Sequence, residues 1–258
     1  MDDWGPMGSH VYLCGRLVVT GPTLVIDERE LPGRQGRLAL ALLCLERRRP
    51  VAVERLVTAL WGDEPPPDPA GALASIISKL RGALRRCCDV GPDVISATTG
   101  TYQLRLPIDC AVDLEDARTA IDRAEGARRR GEPAPAWADA TVATSVARRG
   151  FLPGETGDWV RSVQRELERI ARRGYDTLTW VWTTRGDGVL ATAMAEHAVE
   201  IAPLHEPAWR TLMATHACFG SRADALRSYR RCREVLGEQL GVAPDAETTE
   251  LYAQLLAT

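Results

Sequence analysis

The 258-residue sequence predicts a mixed fold in two parts, an α/β first part over residues 11–106 and an all-α second part over 107–258. Three observations carry that division. Strand-like apolar runs stand at Val11–Val19 and on both sides of Thr98-Thr99-Gly100-Thr101. Between them lie three stretches of helical character, the most regular at Asp68–Cys88. Beyond Pro107 every apolar pattern is helical, with Gly or Pro near most junctions.

Taken in order, residues 1–10 are polar and Gly-containing and are expected to be a disordered tail. Val11–Val19 reads as a strand, Gly21-Pro22 as a turn and Thr23–Ile26 as the hairpin partner, with a further short strand possible around Glu30–Pro32. Leu38–Leu45 is apolar nearly all round, which marks a buried central helix. A second helix follows at Val53–Trp61, with Val53, Leu56, Val57, Leu60 and Trp61 on one face, and Gly62 ends it. Pro65-Pro66-Pro67 is a stiff, extended connector.

Asp68 then suits an N-cap and Pro69 the first helical position, where its missing N–H costs nothing. Asp89-Val90-Gly91-Pro92 supplies the stop. Leu73, Ile76, Ile77, Leu80 and Leu84 make a narrow apolar stripe that needs a core. The opposite face holds Gly71, Ser75, Ser78, Lys79, Gly82, Arg85 and Arg86. It has no carboxylate and little bulk, and suits a polyanion approached closely. Arg81 lies about 90° off the centre of that face, which fits a flanking salt bridge or phosphate contact. Val94–Ala97 and Tyr102–Leu106 close the first part as a hairpin.

A short helix, a connector, an outward-facing second helix and a β-hairpin are the order of a winged helix-turn-helix. The runs Arg55-Leu56-Val57-Thr58-Ala59-Leu60-Trp61-Gly62-Asp63-Glu64-Pro65-Pro66, Ser78-Lys79-Leu80-Arg81-Gly82-Ala83-Leu84 and Gly100-Thr101-Tyr102-Gln103-Leu104 resemble the OmpR-type winged helix. More narrowly they resemble the Streptomyces antibiotic regulatory protein family of transcriptional activators. In the second part, Phe151-Leu152-Pro153-Gly154, Trp159-Val160 and Glu238-Gln239-Leu240-Gly241-Val242-Ala243-Pro244-Asp245 are similar to signatures of the bacterial transcriptional activator domain.

In that second part Val112-Asp113-Leu114 opens a helix to Arg130, and further helices are expected at Asp139–Arg149, Asp158–Arg185, Val189–Ile201, Pro207–Cys218, Arg222–Leu240 and Asp245–Leu256. Ala191, Ala195 and Ala198 are answered 34 residues later by Ala225, Tyr229 and Cys232, the period of tetratricopeptide hairpins. Small residues there let paired helices approach closely, and such arrays present concave surfaces to partner proteins.

Composition bounds the function. The net charge of −3 places any basic surface locally: residues 1–106 carry 13 basic and 12 acidic side chains, net +1, and the other 19 basic and 23 acidic give −4. Seven cysteines without C-x-x-C spacing read as small buried hydrophobes in a reducing cytosol. No apolar run has transmembrane length, so the expectation is a cytoplasmic, nucleoid-associated protein without a membrane partner. Lys79, the only lysine, follows Ile76-Ile77-Ser78, so no phosphate-binding G-x-x-x-x-G-K-[ST] loop exists. G-x-S-x-G, H-E-x-x-H and G-x-G-x-x-G are also missing, and no catalytic, cofactor or metal site is expected.

The candidate DNA contacts are Ser75, Ser78, Lys79, Arg81, Gly82, Arg85 and Arg86 on the helix, with Thr99, Thr101 and Tyr102 in the wing. Lys79, Arg85 and Arg86 suit phosphates or guanine edges. Tyr102 has packing on the core as its alternative. Arg47-Arg48-Arg49 cannot share one helix face and reads as a solvated loop. Arg128-Arg129-Arg130 is explained by a helix C-terminus, and Trp180 and Trp182 by packing. The resemblance implies double-stranded DNA with direct repeats upstream of a biosynthetic operon, a homodimer on that DNA, and contact with RNA polymerase and its sigma factor. The alternative is a helical-repeat interaction protein whose winged helix binds DNA weakly or without specificity, because Gly71, Ser75, Ser78 and Gly82 leave the face small.

Overall fold

The computed structural model describes residues 8–22, 24–88, 91 and 93–257. Two compact units divide them: residues up to 116 with 149–164, and residues 117–148 with 165 onward.

In the first unit, β1 (His10–Tyr12), β2 (Val18–Thr20) and β3 (Val25–Ile26) make an antiparallel meander. Val11, Leu13, Leu17, Val19 and Ile26 are fully buried. The one strand expected over Val11–Val19 is two. Gly15 takes a φ of +80°, a left-handed turn conformation that glycine adopts without strain. Its N–H donates to Gly150 O at 2.7 Å. No strand forms at Glu30–Pro32, because the Glu30 N–H turns back to Asp27 O. Of the tail expected over 1–10, residues 1–7 lie outside the described residues, Ser9 is buried and His10 opens β1. Thr23, and the stop expected at 89–92 apart from Gly91, also lie outside them.

Helix α1 (Gly33–Leu45) starts before the expected Leu38, and everything from Leu38 to Cys44 is buried, as a central helix requires. After β4 (Val51–Ala52) come α2 (Val53–Trp61) and α3 (Pro69–Cys88), both packed on α1. β5 (Ile95–Thr98) and β6 (Thr101–Leu104) form the hairpin, and β4 pairs with β6 to make a second sheet of order β4-β6-β5.

The chain then returns to the first sheet instead of leaving it after Leu106. β7 (Ala111–Val112) pairs in parallel with β1, giving the order β3-β2-β1-β7. Asp113 follows, nearly enclosed, and its carboxylate accepts from the N–H groups of Leu13 and Cys14 at 2.8 and 3.1 Å. Arg149 approaches the same carboxylate at 3.3 Å. Burial pushes the Asp113 carboxyl above its ordinary value, and the two backbone donors oppose that shift. Residues 149–164 complete this unit. Phe151 bridges to Cys14, stands edge-on to Trp159 at 5.8 Å and is fully buried. Trp159 Nε1 donates to Ala59 O, and Glu155 takes Arg34 and Arg37.

Helices α4 (Asp113–Arg129) and α6 (Asp158–Thr184) have their first residues in the first unit and the rest in the second. Within the second unit, Arg118 forms a bidentate pair with Glu166, and Arg173 pairs with both Glu125 and Asp122. α5 (Pro133–Ala147) starts before the expected Asp139, because Pro133 occupies the first turn. A Cβ on Gly174 would come within 2.4 Å of Thr144 Cγ2, so that glycine sets how closely α5 and α6 pack.

α7 (Gly188–Ile201), α8 (Glu206–Cys218), α9 (Arg222–Leu240) and α10 (Ala246–Ala257) stack as antiparallel hairpins, with α8 packed on α7, α9 and α10. The six residues of the 34-residue repeat are all buried at these seams. Trp180 packs against Ala127, Ala136 and Val181.

Candidate nucleic-acid interface

Asp68 starts the helix that carries the site. Its carboxylate accepts the Gly71 N–H at 2.9 Å, and a Cβ on Gly71 would come within 2.1 Å of that carboxylate. A glycine therefore lets the cap fold over the first turn. Leu73, Ile77, Leu80, Ala83, Leu84 and Cys87 are buried and Ile76 half-buried, so the apolar stripe faces the core. Gly71, Ser75, Ser78, Lys79, Gly82, Arg85 and Arg86 are all exposed, joined by Ala74, which helical periodicity alone does not single out.

Electrostatics sorts the cations. Lys79, Arg85 and Arg86 have no ion-pair partner among the described residues, and α3 itself contains no Asp or Glu; the nearest acid in sequence on its N-terminal side is the Asp68 cap. Their charge is available to a ligand. The Arg47–Arg49 cluster behaves differently. Arg47 holds Glu115 through two hydrogen bonds, at 2.9 and 2.7 Å, and Arg49 binds Glu46. The Arg49 hydrogen bond holds the Glu46 carboxyl below its ordinary value. Arg48 remains exposed, with Glu115 at 3.8 Å.

Arg81 has a third role. Its Nε donates to Ile95 O at 2.7 Å, and its guanidinium stands 6.0 Å from the centre of the Tyr102 ring. Among the described residues Arg81 forms no salt bridge, and its bond to Ile95 O fastens α3 to the wing. Tyr102 is half-buried beside it and pairs in register with Val51 and Ala97, which places its ring in packing.

The wing tip is a tight turn. Thr98 pairs with Thr101, Gly100 takes a φ of +70°, and Gly100 O accepts the first N–H of α2 from Val53 at 2.9 Å. That bond ties the wing tip to the start of the preceding helix. Thr99 is exposed and Thr101 half-buried. Arg105, just beyond β6, is exposed without an ion-pair partner among the described residues; in sequence it is an isolated charge with no motif to mark it. The structure thus brings Ser75, Ser78, Lys79, Gly82, Arg85 and Arg86 onto one open face, and Arg81 and Tyr102 to the seam behind it.

A two-sheet winged helix followed by stacked helical hairpins defines the architectural class. The sequence profile of the bacterial transcriptional activator domain matches residues 112–256. EmbR of Mycobacterium tuberculosis is 28% identical over 242 residues, covering 90% of this chain and 61% of that protein. AfsR of Streptomyces coelicolor is 28% identical over 222 residues, 86% of this chain and 22% of AfsR. RedD of the same organism is 27% identical, covering 99% of this chain and 74% of RedD. The chain belongs to the bacterial transcriptional activator domain family and, with its winged helix, to the Streptomyces antibiotic regulatory protein family.

The chain spans 61% of EmbR, less than two thirds of that relative's length. A solved structure of M. tuberculosis EmbR, in complex with a low-affinity phosphopeptide, shares the fold with a TM-score of 0.84 at 24% identity. It covers 98% of this chain and 65% of its own. EmbR, AfsR and RedD are all regulatory proteins by description. Among the described residues no helix is long and apolar enough to cross a membrane, and no group of three His, Cys, Asp or Glu side chains is placed to hold a metal ion.

Proposed function

We propose that this chain is a sequence-specific, DNA-binding transcriptional activator of a secondary-metabolite gene cluster. α3 enters the major groove, and the β5–β6 wing lies against the adjacent sugar-phosphate backbone. Two protomers occupy direct repeats side by side, and the helical part meets RNA polymerase and its sigma factor. One observation carries the reading. α3 holds three exposed cations without ion-pair partners among the described residues and has no Asp or Glu of its own, while the small side chains of its exposed face allow close approach. Phosphate neutralisation then supplies affinity, and Ser75, Ser78 and the Arg85–Arg86 pair supply base contacts. The descriptions of EmbR, AfsR and RedD as regulatory proteins support the same assignment.

The test combines selection from random and genomic DNA with salt titration. Selection should return a repeated motif. A Lys79→Ala, Arg85→Ala, Arg86→Ala variant should lower the slope of log K against log salt by about one for each phosphate it no longer neutralises. Binding without any motif would favour the alternative, a helical-repeat interaction protein with a non-reading winged helix. An unchanged slope in the folded triple variant would exclude α3 as the DNA-binding element.

A further inference from the structure

A groove of about 500 Å³ runs between α5, α6 and α7, wholly within the second unit. Trp137, Tyr175 and Trp182 line it together with Leu190 and Met194. In a chain with only 14 aromatic side chains by the counts of Trp, Tyr and Phe, three converge here. The rim is uncovered: Trp137 is 42% exposed and Leu190 36%. A small-molecule site encloses most of its ligand, and this open trough does not. An opening of this kind suits side chains presented by a partner protein.

Two guanidiniums stand at the groove. Arg148 lines it, and Arg185 lies over the Trp182 ring at 5.3 Å. Neither guanidinium has an ion-pair or hydrogen-bond partner among the described residues, nor does either indole N–H of Trp137 and Trp182. No Asp or Glu lines the groove. The nearby carboxylates are engaged: Glu200 by His197 Nδ1 at 3.1 Å, and Asp187 by the Leu190 N–H at 3.0 Å. By contrast the cations of the α4–α6 seam, Arg118 and Arg173, are paired with carboxylates of this chain.

We propose that this groove is a docking site for an acidic peptide segment of a partner protein, carrying one or more bulky apolar side chains. The apolar side chains enter between Trp137, Tyr175 and Met194, and the flanking carboxylates meet Arg148 and Arg185. Trp and Arg are the residue types that concentrate binding energy at interfaces. A peptide of this chemistry leaves no unpaired carboxylate, whereas a basic one would meet two like charges. The inference does not depend on α3 binding DNA.

The experiment uses the full chain and fluorescence anisotropy. The probe is a fluorescein-labelled 12-residue peptide of alternating Asp and Leu with one central Phe. Its controls carry Lys for Asp, or Ala for Leu and Phe. The acidic-apolar probe should bind about tenfold or more tightly than either control, about 1.4 kcal/mol. Trp137→Ala should weaken it about tenfold, and Arg148→Glu with Arg185→Glu should reverse the preference toward the Lys peptide. The Lys79→Ala, Arg85→Ala, Arg86→Ala variant should bind the probe as wild type does.

Both groove substitutions are at exposed positions, and circular dichroism checks that they fold. Equal binding of all three peptides, or no binding, overturns the proposal. So does loss of binding in the α3 triple variant with Trp137→Ala unaffected, which would place the probe on the basic helix. Displacement of the probe by single-stranded oligonucleotide but not by unlabelled acidic peptide would assign the groove to nucleic acid. A self-association that Trp137→Ala dissolves and the probe does not compete would make it an interface between copies of this chain.

Discussion

Gly82 concentrates the site's chemistry in a missing side chain. A Cβ built there meets no atom within 4 Å, so nothing inside the molecule requires glycine. Within a helix that residue costs about 0.5–1 kcal/mol relative to Ala. Gly71 differs, because its cap would collide with a Cβ. On the proposed reading the glycine serves a DNA surface that comes close to the α3 backbone, so that short Ser75 and Ser78 reach base edges; drift is the alternative. Gly82→Ala should raise the melting temperature and weaken cognate binding, while affinity for scrambled duplex stays level. Thermal melts and titrations against both duplexes decide it; cognate affinity equal to wild type sinks the close-approach account. Arg81 teaches the complementary lesson. Its position on a helical wheel was legible, but its bond to Ile95 O depended on where the hairpin folded back.

Elements with local signals were legible in the sequence. α3 carries its cap, its stripe and its polar face within its own residues, and the observed helix matches the expected one to within a residue. The seams of α7 and α9 were legible for the same reason, through a repeat of small residues. β4 and β7 were not, since each has two residues and exists only through a partner far away in sequence. Arg47 could not be matched to Glu115 across 68 positions, so the Arg triplet read as solvated loop.

The α4–α6 seam offers an element-scale prediction. Arg173 hydrogen-bonds Glu125 and holds its carboxyl below the ordinary 4.5. A carboxyl whose folded value is depressed stabilises the fold above its unfolded value, and that stabilisation disappears as pH falls through the folded value. Arg173→Ala should thus lower the melting temperature at neutral pH, by an amount equivalent to a few tenths to about 1 kcal/mol for a partly exposed, screened pair. The gap to wild type should narrow as pH falls from the ordinary 4.5 through the depressed folded value. A gap that persists unchanged into acid would mean Arg173 acts through the packing of its stem, without its charge.

At the scale of the molecule, the division of labour follows the cores more than the order of the chain. Phe151, Trp159 and Glu155 come from the stretch that resembles the activator domain, yet they pack in the unit that holds α3. A boundary drawn after Leu106 would strand β7, Asp113 and all of these. Each unit also has its own large buried aromatic, Phe151 in the first and Trp209 in the second, where Trp209 Nε1 donates to Pro203 O at 2.8 Å. Truncating such a side chain removes its transfer free energy and leaves a cavity, about 3–5 kcal/mol. Two cores of separate make-up should therefore respond separately. Phe151→Ala should raise amide exchange across β1, β2 and α1–α3 while sparing α8 and α9, and should weaken DNA binding although Phe151 lies far from the α3 face in sequence and is fully buried. Trp209→Ala should raise exchange in α7–α9 and leave binding to a single DNA site intact. Hydrogen exchange read by mass spectrometry on both variants, with binding measured on the same samples, separates these outcomes. Uniform acceleration over the whole chain by either substitution would show one cooperative core, and the assignment of residues 149–164 to the unit that holds α3 would then carry no separate consequence.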